Sequence, residues 1–253
     1  MLTLEARAAT GPVCRFIAAN ADRIALVARS DPYRPQQGGA IGQAWRHLRR
    51  SGPRFLTYLL ANFAIPELFP SRLAATCARL GIDCPIIADM NAPAFHARLA
   101  ASGADLLLSF HCDQILTAET IATLPSGGLN VHAGLLPLHR GPVPTIHALL
   151  EPTPPFGVTI HRMVPRIDAG AILAQRAPPL PPGLSALAAA TRLHDAAVPL
   201  LGDLLDRLDA GPVPETPFTP GPYCGFPTPG QLRSLARMGR RAADWRDLTG
   251  DSR

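Results

Sequence analysis

Short apolar runs alternate with longer amphipathic stretches along the 253 residues. The runs are Met1–Glu5, Arg23–Arg29 (RIALVAR), Cys84–Ala88 (CPIIA), Ala104–Ser109 (ADLLLS), Gly127–His132 (GGLNVH), Gly157–Met163 (GVTIHRM) and Ile172–Arg176. Their length and apolar character predict strands. Between them, Pro12–Ala21, Ile41–Arg50, Pro53–Phe63, Leu68–Leu80, Ala92–Ala101, Thr117–Thr123 and Pro142–Leu150 have helical spacing. Leu184–Leu208 is a longer amphipathic helix, bent near Pro199. This alternation predicts an α/β fold, an open and mostly parallel sheet with helices on both faces. Asp31–Gly39 reads as a loop. From Ala210 prolines and glycines crowd the chain until a last helix near Pro229–Arg241. The expected division is a main domain, 1–209, and a short C-terminal extension, 210–253.

Composition narrows the class. Hydrophobic residues make up 47% and charged residues 17%, which fits a packed core. No apolar run reaches the ~18–20 residues of a membrane span. The N-terminus lacks a basic start with a long apolar stretch, so no signal peptide is expected and a cytoplasmic location is. The net charge is +5, and every one of the 24 basic residues is arginine. These are scattered, with only Arg49–Arg50 and Arg240–Arg241 adjacent, so neither a nucleic-acid nor a membrane partner is expected. The cysteines, Cys14, Cys77, Cys84, Cys112 and Cys224, are odd in number and form no CxxC, which disfavours disulfides or structural zinc. His111, His132, His139, His147 and His161 form no HxxxH or HExxH, so no metal is expected. Ala8–Pro12, taken as the first strand-to-helix loop, lacks GxGxxG and does not support a dinucleotide site.

The candidate chemistry lies in Gly128–Gly141 (GLNVHAGLLPLHRG). Asn130 and His132 are two apart on one strand and point to one face. They sit at the strand's carboxyl end, the edge where open α/β sheets bind ligands. An amide donor beside an imidazole suits a developing oxyanion and a moving proton. Taken alone, the pair reads more readily as a capping Asn and a surface His.

Two blocks together resemble the formyltransferase family, which includes glycinamide ribonucleotide transformylase, methionyl-tRNA formyltransferase and the sugar N-formyltransferases. The first is Asn130-Val131-His132, then Leu135-Leu136-Pro137 and Arg140-Gly141. The second is Gly157-Val158-Thr159-Ile160-His161, then Ile167-Asp168-Ala169-Gly170 and Ile172-Leu173. The likeness is clearest from Ala104 to Arg176. Two positions depart: Gly134 stands where the family has Ser, and Ala169 where it usually has Thr.

The resemblance implies a Rossmann-like formyltransferase core and one-carbon chemistry. Its catalytic residues would be Asn130, His132 and Asp168, with Asp168 holding a protonated His132 whose pKa the carboxylate raises. The donor would be 10-formyltetrahydrofolate, with no metal. It would bind between Phe110–Leu116, through Phe110, Asp113, Gln114, Ile115 and Leu116, and Val164–Ile167, through Val164, Pro165, Arg166 and Ile167. His161 is expected to orient or pack beside the active-site strand. Only 85 residues follow Asp168 (253 − 168), short of a tRNA-binding barrel, so a small-molecule amine acceptor is expected. Arg140 and Tyr223 are the expected acceptor contacts, with Gly221–Thr228 packed beside the cleft. A homodimer is compatible with this reading. Hydrolysis of the formyl donor and non-catalytic folate binding are the alternative functions.

Overall fold

The computed structural model describes residues 1–33 and 38–249, without the side chains of Glu67 and Thr249. Part of the Asp31–Gly39 loop and the end of the C-terminal extension lie outside the described residues. Seven strands form one sheet: β1 (Leu2–Thr3), β2 (Ala28–Ser30), β3 (Ile86–Ile87), β4 (Leu107–Phe110), β5 (Gly128–His132), β6 (Val158–Arg162) and β7 (Ile172–Arg176), in the order β3-β2-β1-β4-β5-β6-β7. The pairings from β3 through β5 are parallel, and β5–β6 and β6–β7 are antiparallel. The expected open, mostly parallel sheet is therefore present. Strand order reverses between β1 and β4, and that crevice is where such sheets receive ligands.

The helices are α1 (Arg7–Ala19), α2 (Gly39–Ser51), α3 (Pro53–Leu59), α4 (Ile65–Glu67), α5 (Arg72–Arg79), α6 (Pro93–Ala101), α7 (Ala118–Ala122), α8 (Pro144–Ala148), α9 (Ala186–Ala210), α10 (Pro229–Arg237) and α11 (Arg246–Thr249). Several boundaries follow from local chemistry. Ser71 and Thr117 cap α5 and α7 with their hydroxyls. Thr228 and Gln231 close a capping box on α10. The second strand is shorter than its apolar run: Ala21–Arg23 is a 3-10 turn and only Ala28–Ser30 pairs fully. Among the described residues, no helix is long and apolar enough to cross a membrane.

The expected loop at Ala8–Pro12 is corrected: these residues lie within α1, which begins at Arg7. Pro12 lacks the N–H that the Ala8 carbonyl would receive four residues on. His194 Nδ1, on α9, donates to that carbonyl instead, at 3.0 Å. A helix interrupted by proline is thus completed from a helix 186 residues away. α9 also runs through Pro199 to Ala210.

The core has separate apolar clusters. One joins α1, the central strands and α9 through Phe16, Phe110, Leu129, Ile160 and Leu201. A second joins Phe55, Tyr58, Val143, Ile146, Ala190, Leu232 and Leu235, which ties the C-terminal α10 to α3, α8 and α9. A third lies under β1–β4 and holds Met90, Phe95, Leu116 and Leu124. The second and third clusters both contribute residues to the walls of the site described next.

Candidate active site

Asn130 and His132 lie on β5, between parallel β4 and antiparallel β6. Register places His161 directly opposite Asn130. Asp168 lies in the loop from β6 to β7 at φ 46°, a left-handed conformation that Asp tolerates better than most residues. The structure brings all four side chains together. Asn130 Nδ2 is 3.1 Å from His161 Nε2 and 3.4 Å from Asp168 Oδ1. His132 Nδ1 is 3.5 Å from Asp168 Oδ2, and His161 Nε2 is 3.5 Å from Asp168 Oδ1. His161 Nδ1 donates to its neighbour's carbonyl, Arg162 O, at 2.8 Å. That leaves Nε2 facing the Asn130 amide and the Asp168 carboxylate. His161 is therefore part of the cluster, as its place opposite Asn130 allowed.

Electrostatics correct one expectation. Burial pushes the Asp168 carboxyl up, but His132, His161 and the Gly141 N–H outweigh it, and it is held at about 2. For His132, burial is the largest influence and lowers its pKa; Asp168 opposes this without reversing it. The imidazole was expected to be raised by its carboxylate, yet only 5% of it meets solvent, and desolvation penalises its charged form more. At neutral pH the pair is a carboxylate beside a neutral imidazole. Nδ1 of His132 is turned to Asp168, and its Nε2 is buried with no hydrogen-bond partner among the described residues.

The Asp168 loop is fastened from below. Asp168 Oδ2 accepts from the Gly141 N–H at 2.8 Å. Arg140 was expected to contact the acceptor. Instead it is 3% exposed and does not line the cavity. Its guanidinium donates to Ile167 O and Asp168 O in the loop, and to Gly221 O in the C-terminal segment at 2.7 Å. Cys224 N donates to Arg140 O at 2.7 Å, pinning that segment beside β5. Gly141 has φ 129°, and a side chain there would run into the Cys224 carbonyl.

A cavity of about 310 Å³ opens over this cluster, within the size range of small-molecule sites. Asn130, His132, His161 and Asp168 line it. So do Asp113, Gln114, Ile115, Leu116, Val164, Pro165 and Ile167 of the expected folate segments, and Tyr223 of the C-terminal segment. Phe110 does not: it is fully buried against Phe16 and His194. Arg166 is exposed and also outside the lining. Residues the motifs did not single out complete the walls, among them Tyr58, His111, Ala190, His194 and Phe226. Ile115 and Tyr223 are 62% and 53% exposed, forming an apolar rim. A larger cavity, about 540 Å³, lies between α1, α5 and α9 and touches none of the cluster. Among the described residues, no group of three or more His, Cys, Asp or Glu is placed to hold a metal ion.

Comparison with known proteins agrees with the motif reading. The formyl transferase family model matches residues 88–205, which hold β4 to β7, Asn130, His132 and Asp168. A sugar N-formyltransferase from Shewanella sp. FDAARGOS_354 is similar over 92% of this chain and 78% of its own, at 21% identity and TM-score 0.58. WlaRD, a sugar 3N-formyl transferase solved in the presence of dTDP and 5-N-formyl-THF, is similar over 89% and 68%, at 16% identity and TM-score 0.55. Phosphoribosylglycinamide formyltransferase from Streptococcus pneumoniae TIGR4 is similar over 82% and 97%, at 14% identity and TM-score 0.57. At these identities the structural likenesses speak for the fold, and the family match speaks for residues 88–205. Together they bear out the resemblance carried by the two sequence blocks: this chain has the formyltransferase fold, and its residues 88–205 match the formyl transferase family.

Proposed function

We propose that the protein transfers a formyl group from 10-formyltetrahydrofolate to the amine of a small molecule, with an amino sugar as the first acceptor to test. The observation that carries this is the Asn130–His132–Asp168 cluster, whose three side chains meet and line one cavity. The formyl transferase match supports formyl transfer, and the sugar N-formyltransferase neighbours suggest the acceptor class to test. Leu116, Ile115, Val164 and Ile167 offer an apolar wall against which the pterin of a reduced folate would lie. Bound there, 10-formyltetrahydrofolate supplies the electrophilic formyl carbon.

The protein's part is proton handling and charge stabilisation. His132 Nε2 takes a proton from the amine as its nitrogen bonds to carbon. The imidazolium this forms faces the Asp168 carboxylate, which is already ionised, so the ion pair appears only during reaction. Asn130 donates to the formyl oxygen as negative charge gathers on it. Its 3.4 Å contact with Asp168 is the weaker of its two and is the one exchanged for that oxygen. When the carbon–nitrogen bond to the donor breaks, His132 returns the proton to the leaving nitrogen. Arg140 is a positioning residue, holding the Asp168 loop through backbone carbonyls.

The test is to incubate the protein with 10-formyltetrahydrofolate and an amine panel of glycinamide, 2-aminoethanol and dTDP-linked 3- and 4-amino sugars. Tetrahydrofolate release and a formylated amine are the expected result. Release with formate as the only product marks a hydrolase. Folate binding with no release marks a binding module.

A further inference from the structure

The cavity has a second histidine pair that the chemistry above leaves unused. His111 follows β4 at φ 58°, at the reversal of strand order, and its carbonyl accepts from Leu4 N at 2.8 Å. His194 projects from α9 and is 3% exposed. The two rings meet edge to face, with centroids 5.1 Å apart. Both line the cavity that holds His132.

Their protonation is constrained by what they touch. His194 Nδ1 must carry its hydrogen, because it donates to the Ala8 carbonyl that Pro12 leaves unserved. In the neutral ring its Nε2 is then an acceptor. Neutral is the state burial enforces: desolvation lowers His194 to about 4 and His111 to about 3. His111 Nε2 is buried and unpartnered among the described residues. Their rings contact Phe63 and Phe110, and the cavity they share is also lined by Tyr58, Val143, Ala190 and Phe226 of the second core cluster. The expected folate wall, with Leu116 and Met163, belongs to the third. His111 and His194 line the same cavity as His132.

A primary amine poised to attack has two N–H bonds and one lone pair. If both N–H groups find acceptors, the lone pair is left to meet the carbon. His132 Nε2 supplies one acceptor. We propose that His194, buttressed by His111, supplies the other, so that this pair recognises and orients the primary amine of the acceptor. The proposal rests on the formyl-transfer reading and names the residue that makes an N–H donor, rather than an ether or a carbonyl, fit this wall.

His194→Asn and His194→Gln separate the two ring nitrogens. Asn places an N–H where Nδ1 was, keeping the Ala8 bond and removing Nε2. Gln reaches the Nε2 position with an acceptor oxygen and gives up the Ala8 bond. Each variant is assayed with the most active amine of the panel above, alongside calorimetry with 5-formyltetrahydrofolate and a thermal melt. The expected result for Asn is an acceptor KM raised at least tenfold with folate affinity unchanged. Gln should recover most of the KM at a lower Tm. A wild-type acceptor KM in His194→Asn, with folate bound normally, overturns the proposal. Should Asn fail to fold, a folded Gln variant decides: near-native KM supports the proposal, and a tenfold rise overturns it. If the wild-type protein releases no tetrahydrofolate with any panel amine, the formyl-transfer reading falls first and this inference with it.

Discussion

The two histidine pairs of the cavity, His132–His161 and His111–His194, differ in company. The first shares Asp168, which lies 3.5 Å from each ring. The second is held by a backbone carbonyl and by aromatic rings, Phe63 against His111 and Phe110 against His194. Burial alone makes an imidazole neutral; a carboxylate within reach lets the same neutral imidazole become charged for a moment without leaving an isolated buried charge. One pair can therefore carry a proton through a reaction, and the other is suited to accepting hydrogen bonds throughout.

Removing either half of the first pair's ion couple should give the largest effect. His132→Ala deletes the proton carrier, and Asp168→Asn deletes the charge that stabilises it. Each is expected to lower kcat by roughly 10²–10⁴, in proteins that still bind 5-formyltetrahydrofolate. Turnover close to wild type in either variant would show that the pair with the carboxylate is not the reacting one. Asn130→Ala comes next, at roughly 10²–10³ in kcat, the usual scale for an oxyanion donor. Its KM for the acceptor should barely change, because the oxygen it serves is on the donor. A loss confined to KM would instead make Asn130 a ground-state contact.

The first pair was legible in the sequence because its parts lie in two short blocks, joined by one antiparallel pairing of β5 with β6. Strand period put Asn130 and His132 on one face, and the family likeness added Asp168. The second pair was not legible. His194 stands mid-helix with no motif about it. Its tie to Pro12 spans the chain and depends on a missing N–H in a stretch read as a loop. Arg140 shows the opposite failure: a correct motif position gave no hint that its guanidinium would be spent on backbone carbonyls of two segments. Desolvation of His132 was also beyond reach, since the depth of the cavity is set by Tyr58, Val143 and the C-terminal segment.

Gly134 sharpens the comparison from the backbone. A Cβ at this position would lie 2.7 Å from His132 Nε2 and 2.9 Å from Pro144 Cβ. The serine found here in the family would therefore displace the ring or the α8 start, so the glycine belongs with this imidazole pose. Gly134→Ser is expected to cost roughly ten- to a hundredfold in kcat, the effect of a misplaced reacting group, while His111 and His194 stay put and acceptor KM holds. Wild-type kcat in this variant would mean that the ring pose tolerates a side chain beside it.

The smallest expected effect concerns stability, and it tests whether the second pair is neutral. His111 has a folded-state pKa of about 3, lowered first by burial and then by His194. In the unfolded chain an imidazole titrates near ~6.5. Between these values the unfolded state binds more protons, so stability rises with pH there and falls as pH drops below the unfolded value. His111→Asn removes one such group and suits the backbone, because Asn tolerates positive φ. The wild-type protein should lose more stability than His111→Asn between pH 6.5 and 4.5, by about 2 kcal/mol or several degrees in Tm. The lowered pKa of His194 contributes in the same direction and remains in the variant, so the difference is only part of the acid sensitivity. Asp168 does not enter this window, since its carboxyl, depressed to about 2, stays ionised throughout it in the folded state and near-ionised in the unfolded chain until pH nears ~4. Parallel melting curves for the two proteins across this range would mean that His111 gains its proton in the folded state as readily as in the unfolded one, and the contrast between the pairs would then reduce to geometry.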